Sequence, residues 1–297
     1  MLTEVLPKLR GQLQQKALLA EYTSWRVGGP ADLLYIPADL KDLAFFLEQL
    51  PLDIPLLWLG LGSNVLIRDG GVEGVVIVTQ GALAEINPLE SQIVRAEAGV
   101  ACAQIARYTA RLGLTGLEFM AGIPGTVGGA LAMNAGCYGG ETWQRVRCVE
   151  TINRKGEIKL RPLTDFQVAY RSVKGQQDEW FVAGHFELAL GDKKHSLEDI
   201  KVLLEKRNAA QPTGLPNCGS VFRNPTGNFA ARLIEECGLK GKVIGGACVS
   251  TKHANFIINE HAATAADIEA LIYEIAATVE KQHGIRLIPE VHIIGRE

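Results

Sequence analysis

No stretch of about 18 apolar residues occurs anywhere in this 297-residue sequence, which excludes a transmembrane helix. The N-terminal run MLTEVLPKLRGQLQQ has no apolar core of signal-peptide length. Lys and Arg form no basic run. With a net charge of −3 and a pI near 6.1, nucleic acid is not expected as a partner, nor is a membrane. Six cysteines are present (Cys102, Cys137, Cys148, Cys218, Cys237 and Cys248), yet none pairs as CxxC or sits with His at zinc-ligand spacing. A cytoplasmic chain with reduced thiols and no metal is the simplest account. A Walker A loop is missing too. Gly241-Lys242 has Glu236 where the leading glycine belongs, and Val243 in place of Ser or Thr. There is no G-x-S-x-G elbow, no internal repeat and no low-complexity tract. What remains is globular: 47% hydrophobic, 21% charged, and long enough for one large or two to three ordinary domains.

Glycine is what the chain has in quantity. From Gly116 to Glu141 it reads GLEFMAGIPGTVGGALAMNAGCYGGE. Gly122, Gly125, Gly128 and Gly129 surround Ile123, Pro124 and Thr126, and a second cluster starts at Asn134-Ala135-Gly136. With so few side chains the backbone itself is presented. Glycine admits positive φ and close approach, so such a loop can aim N–H groups at an anion, most plausibly a phosphate. A tight buried turn is the competing reading, and the density of glycines favours a ligand loop. A smaller turn, Gly60-Leu61-Gly62-Ser63-Asn64, follows an apolar run. It is not a Rossmann fingerprint, because Val65 stands where the third glycine belongs and no helical pattern follows directly.

Periodicity lays out the elements. Residues 1–20 read as an amphipathic helix with Val5, Leu9 and Leu13 on one stripe. Leu33–Ile36 reads as a strand after a Gly28-Gly29-Pro30 turn, and Asp39 caps a helix over 40–50. Strands are expected at 55–59, 65–67, 75–78 and 93–98, with a helix at 101–112 closed by Gly113. Three antiparallel strands follow at 145–151, 157–161 and 180–188. A composition shift at 191–195 precedes a helix that Ser196 and Asp199 box-cap, running to about Asn208. Asn228 caps a helix to Cys237, and Thr264 with Asp267 caps one carrying Ile268, Leu271, Ile272, Ile275 and Val279. A last strand at 285–295 places Arg286, Glu290 and His292 on one face. The fold class is α+β, partitioned as 1–80, 81–190 and 191–297.

The chemistry-bearing residues are individually ambiguous. Ser220 alone reads as a turn residue, and Arg171 as a surface or ion-pairing residue. Glu290, behind Pro289 in an apolar strand, needs a partner if it faces inward. His253 and His292 have no neighbours at ligand spacing.

Taken together and in order, SWRVGGPADLL, GLGSNVLI, EFMAGIPGTVGGALAMNAG, AYR, GSVFRNP, HANFIIN and IPEVHIIG resemble the UDP-N-acetylenolpyruvoylglucosamine reductase family, from about Tyr22 to Gly295. The resemblance implies a two-subdomain fold of the vanillyl-alcohol-oxidase type holding non-covalent FAD, plus a C-terminal α/β substrate domain. It implies that Gly60, Gly62, Ser63 and Asn64, with Gly122, Ile123, Pro124, Gly125, Thr126, Gly128, Gly129, Asn134, Ala135 and Gly136, embrace the FAD pyrophosphate. NADPH would be the reductant and an enolpyruvyl UDP-sugar the substrate. By motif match Ser220 is the proton donor. Arg171 and Glu290 polarise the substrate carboxylate and stabilise the enolate, the carboxyl helping only if it carries a proton. Arg223 and Asn224 match diphosphate contacts, and Asn255 and Tyr170 further substrate contacts. The last strand, about 286–297, would bring Glu290 to the flavin.

Two departures stand out. About fifty residues separate Arg171 from Ser220, too few for the inserted loop whose Tyr clamps substrate in one branch, so the chain resembles the short-loop branch and closure must come from elsewhere. His292 stands where an Arg is common. A cytoplasmic monomer is expected. The competing readings are another FAD-dependent oxidoreductase of this fold and an inactive nucleotide-binding relative. Retention of Arg171, Ser220 and Glu290 together argues against the second. On the first, such enzymes often tether FAD through His or Cys near the glycine loops; no His precedes His185, although Cys102 and Cys137 lie in the region.

Overall fold

The computed structural model describes residues 8–90 and 92–297. Two compact units are built from interleaved stretches of chain. Unit one takes Met1–Gln14, Leu33–Leu61 and Gly74–Lys206. Unit two takes Gln15–Asp32, Gly62–Glu73 and Arg207–Glu297. Among the described residues no helix is long and apolar enough to cross a membrane.

In unit one, helix α1 (Leu40–Gln49) starts where Asp39 accepts the Asp42 N–H. Its buried Leu43, Phe46 and Leu47 pack with Tyr35, Val75 and Ile77, and Tyr35 stacks on Phe46 at 4.1 Å. Beneath them Leu56–Leu59 and Val72–Val78 pair in parallel, with Leu56 opposite Val75 and Leu59 opposite Val78. Asp42 is itself buried. Its carboxylate accepts the N–H groups of Arg10, Gly11 and Ala38, each at 2.9 Å, and the Tyr35 hydroxyl. Burial opposes its ionisation, but these donors outweigh it and hold the carboxyl below its usual range. The same bonds draw residues 10–11 against α1, and Gln12–Gln15 is a strand. Over residues 8–20 the expected helix is therefore not what forms. Val5 lies outside the described residues, while Leu9 and Leu13 pack half-buried on this core.

The second layer of unit one is a five-stranded antiparallel sheet in the order 158–162, 146–153, 179–187, 93–97, 86–88. Alternation along Ile93–Glu97 divides its faces. Val94 and Ala96 join a core with α2 (Cys102–Arg111) and α3 (Val127–Met133), each large apolar side chain contributing about 1.5–3 kcal/mol. Arg95 points to the other face, where its guanidinium grips Glu150 through two bonds of 2.7 and 2.8 Å. His185, its cross-strand partner, reaches the same carboxylate at 2.7 Å. Burial again opposes ionisation, yet Arg95 and His185 hold the Glu150 carboxyl down at about 2. Helix α4 (Lys193–Ala210) begins earlier than the expected Ser196. Asp192 accepts the His195 N–H at 2.7 Å, and the Ser196 hydroxyl instead donates to Glu118 at 2.7 Å.

Unit two forms around α6 (Ala265–His283), after the short α5 (Ala230–Glu236). Thr264 and Asp267 make the expected capping box, Gly284 closes the helix at φ +66°, and the five predicted stripe residues are buried. The stripe packs with the three-stranded sheet Val243–Ile244, Ala247–Val249, Ile257–Asn259. Trp25 is sealed into this core, its indole N–H donating to the Ile257 carbonyl at 2.8 Å. Arg68 forks onto Glu269 at 2.8 and 2.9 Å, while Asp69 accepts the first two N–H groups of α6. Two expectations are corrected. α5 is capped by Asn224, which accepts the Ala230 N–H at 3.0 Å, because the Asn228 oxygen bonds the Phe229 N–H instead. The last strand is only His292–Ile294, paired in parallel with Val65–Ile67, because the chain before it turns to bridge Phe222 at Pro289.

The Glu150 cluster makes stability pH-dependent. The folded carboxyl titrates near 2 against an ordinary 4.5. Its contribution, about 2–4 kcal/mol, is complete above roughly pH 5 and is lost as pH falls toward 2. Urea unfolding of wild type and Glu150→Gln should show a gap at pH 7 that narrows by about 1 kcal/mol at pH 3.5. A gap independent of pH would contradict this.

Candidate active site

In unit one the two glycine turns touch. A Cβ on Gly60 would collide with the Thr126 hydroxyl, so only glycine lets the first turn reach the second. Thr126 is buried and caps α3, its hydroxyl accepting the Gly129 N–H. The glycines that follow are packed in different ways. At Gly128 a Cβ would stand 2.8 Å from that of Ala98, and at Gly122 one would stand 2.9 Å from the Cys137 sulfur. Several N–H groups of the segment are already bonded within the protein, Gly125 to Ile123, Val127 to Val100 and Gly128 to Ala98. Pro124 and Gly129 are exposed, and Ile123, Gly125, Ala135 and Gly136 half-buried. The segment expected to be one open loop is thus part loop and part helix, and α3 forms despite two glycines because Thr126 caps it.

Asn134 ends α3 in the left-handed region, at φ +41°. Its buried side chain donates to Glu141 at 2.9 Å and to the Ala169 carbonyl at 3.3 Å, and accepts the Trp143 N–H at 3.2 Å. Arg171 docks on the same corner. Its guanidinium donates to the carbonyls of Asn134 and Gly136 at 3.4 and 2.8 Å, and lies 5.0 Å from the exposed Tyr170 ring. Tyr170 and Arg171 connect the strands Gln167–Ala169 and Ser172–Lys174. Arg171 has φ +52°, a conformation glycine adopts freely and a side chain does not. That strain, on the order of 1 kcal/mol, is retained at a chemically capable cation.

Unit two brings Ser220, Glu290, Asn64, Arg223, Asn224 and Asn255 onto adjoining segments. The Glu290 N–H donates to the Val221 carbonyl at 2.7 Å, so Ser220 and Glu290 lie on paired stretches. Asn64 braces the other side, its amide donating to the Glu290 carbonyl at 3.2 Å and its carbonyl accepting the His292 N–H at 3.0 Å. In the same turn a Cβ on Gly62 would collide with the Tyr22 carbonyl. Cys218 is buried beside this pair. Burial pushes its thiol well up, so it stays neutral. Asn255 is buried and pairs with Phe222 as a strand would, accepting its N–H at 3.0 Å and donating to its carbonyl at 2.8 Å. Asn224 is exposed, and the Arg223 Nε is buried with no partner among the described residues. An orphaned guanidinium donor of this kind suits an anionic ligand.

The motifs located these residues but not the supporting parts. Glu141, which holds the Asn134 amide, and Val221, whose carbonyl ties Glu290, carry no sequence signal. The positioning roles of Asn134 and Asn255 depend on burial, which spacing does not reveal.

Comparison with known proteins covers nearly the whole chain. The FAD-binding domain family matches residues 31–160, and the family described as UDP-N-acetylenolpyruvoylglucosamine reductase, C-terminal domain, matches 211–294. A curated UDP-N-acetylenolpyruvoylglucosamine reductase of Legionella pneumophila (strain Corby) is 62% identical over 287 residues, 96% of this chain and 93% of that protein. One from Coxiella burnetii (strain Dugway 5J108-111) is 54% identical over 312 residues, 99% of each chain. The crystal structure of the reductase of that name from Thermus caldophilus superimposes with a TM-score of 0.81 at 30% identity, covering 96% of this chain and 99% of that one. A berberine bridge enzyme variant shares only the fold, at 14% identity and a TM-score of 0.50 over 65% of this chain and 44% of that one.

Asn255→Ala would leave the N–H and carbonyl of Phe222 unpaired in the interior. Urea unfolding should register a loss of about 2–4 kcal/mol, while Ser220→Ala stays within about 0.5 kcal/mol of wild type. Equal stability of the two variants would mean that the asparagine clamp is dispensable.

Proposed function

The chain belongs to the UDP-N-acetylenolpyruvoylglucosamine reductase family, and from that premise we propose which of its residues perform the reaction. The protein is an FAD-containing, NADPH-dependent oxidoreductase. It reduces the enolpyruvyl group of UDP-N-acetylglucosamine enolpyruvate to the lactyl ether of UDP-N-acetylmuramate, in peptidoglycan synthesis. The observation that carries this is 62% identity across 96% of the chain to a reductase of that name.

The residues present suit FAD. Gly60 and Gly62 stand where any Cβ would strike backbone or a buried hydroxyl, which leaves main chain to face a pyrophosphate. In our reading Gly60, Gly62, Ser63, Asn64 and the stretch Gly122 to Gly136 hold the cofactor, with residues 1–80 and 81–190 as its two subdomains and 191–297 as the substrate domain. The bonds already made by Gly125 and Gly128 assign those two to shaping the cradle. Bound there, FAD supplies a redox group that takes hydride from NADPH and gives it to the terminal alkene carbon of the substrate.

The chain's own side chains manage the charge and the proton. Negative charge develops on the substrate carboxylate as its enolate forms. The Arg171 guanidinium, held by the Asn134 and Gly136 carbonyls, stabilises it. Glu290, in its protonated form, donates a hydrogen bond to the same group. The Ser220 hydroxyl delivers its proton to the carbon beside the carboxylate. A serine is a weak acid, but an enolate is a strong base, so placement matters more than acidity. Asn255 acts by fixing the Ser220–Arg223 segment, and Arg223 with Asn224 receives the diphosphate. Tyr170 contacts substrate next to Arg171. We further propose a cytoplasmic monomer; its six free cysteines suit a reducing compartment.

The purified protein should be yellow, bleach with NADPH and recover its colour with the enolpyruvyl sugar nucleotide. Acid precipitation should leave the pellet colourless, since FAD is held non-covalently. Ser220→Ala should keep NADPH-driven bleaching within about twofold and slow recolouring by roughly a thousandfold or more. If stopped-flow traces showed both half-reactions falling equally, Ser220 would not be the proton donor.

A further inference from the structure

An exposed aromatic stands on the same loop as the orphaned Arg223 donor. Phe229 is 64% exposed, among the most exposed large apolar side chains described. It occupies the N-cap position of α5, where Ser, Thr, Asp or Asn would normally serve, and its side chain makes no cap. Asn224 accepts the Ala230 N–H instead, closing the loop 224–230 on itself, and the Asn228 N–H bonds the Pro225 carbonyl at 3.1 Å. The ring therefore hangs from a braced loop, outside the core and with no capping role. A residue there has no folding reason to be aromatic, and leaving such a ring in water is unfavourable.

On this observation, and resting on the reading of Arg223 and Asn224 as diphosphate contacts, we propose that Phe229 is a binding residue for the nucleoside half of the sugar nucleotide, laying its ring against the uracil-ribose face while Arg223 and Asn224 take the diphosphate. The chemistry fits both ends. The buried Arg223 Nε has no hydrogen-bond partner among the described residues, and a flat apolar ring gains by covering a base, a contact typically worth one to two powers of ten in affinity. It also supplies closure from a short loop in a chain too short between Arg171 and Ser220 for a long one.

The test is binding of UDP alone to the FAD-loaded enzyme, by calorimetry. Phe229→Ala should weaken UDP roughly tenfold and raise the KM for the enolpyruvyl sugar nucleotide in parallel, with Phe229→Trp restoring both. Its melting temperature should match wild type, since the ring is outside the core. Arg223→Gln serves as the control for the premise. If Arg223→Gln weakens UDP and Phe229→Ala does not, the Phe229 proposal fails alone. If neither variant changes UDP affinity, the diphosphate reading fails with it. If Phe229→Ala weakens ADP but not UDP, the ring serves the NADPH side and the assignment to the sugar nucleotide is overturned.

Discussion

The approach of Gly60 to Thr126 is the contact on which unit one's proposed cofactor cradle depends. A hydroxyl occupies the space where any other residue would carry a Cβ, and the hydroxyl cannot withdraw, because it also caps α3. Thr126 pairs in an isolated bridge with Ala101, and the adjoining Gly125 carbonyl accepts the Cys102 N–H that begins α2. One threonine thus fixes the first glycine turn, the start of α3 and the entry to α2 together. Enlarging Gly60 would not merely crowd a ligand; it would push apart elements whose spacing the rest of the unit assumes.

Asparagine does the positioning near the chemistry. Asn134 and Asn255 both look like ligand contacts in the sequence, and both use their amides on the protein. Asn134 ties the end of α3 to the ribbon at Glu141 and to Ala169, just ahead of Arg171. Asn255 lends Phe222 a strand partner next to Ser220. An amide suits this task because it donates and accepts in one plane, as a peptide group does. The side chains proposed for the chemistry are left with fewer structural duties. The backbone at Arg171 is strained, where the chain accepts a glycine-like conformation in a two-residue connection.

Much of this was legible in the sequence, for identifiable reasons. The α6 stripe and its Thr264–Asp267 box were readable because helix period and capping are local. Asp39 before α1 was readable for the same reason. The first twenty residues misled, since the Val5–Leu9–Leu13 spacing is helical while the deciding force is a distant carboxylate, Asp42. Ser196 looked like a cap and is a buried donor to Glu118, 78 positions away. The candidate site residues could be singled out because their motifs are specific. Which of them touch a ligand and which brace a neighbour depends on burial and pairing, and those arise only when remote segments meet.

The interleaving of unit two has a consequence for how the protein is made. Trp25 becomes sealed only when Ile257 has arrived, 232 positions later, and Val65–Ile67 finds its strand partner only at His292–Ile294. On the ribosome, the stretches 15–32 and 62–73 emerge early and wait with apolar side chains such as Trp25 and Leu66 in water. Unit one can close on itself once its last segment is out, whereas unit two cannot condense before almost the entire chain is synthesised. That delay exposes sticky surface for the longest interval at the two oldest segments, and it makes nascent-chain chaperoning a matter of topology here rather than of composition.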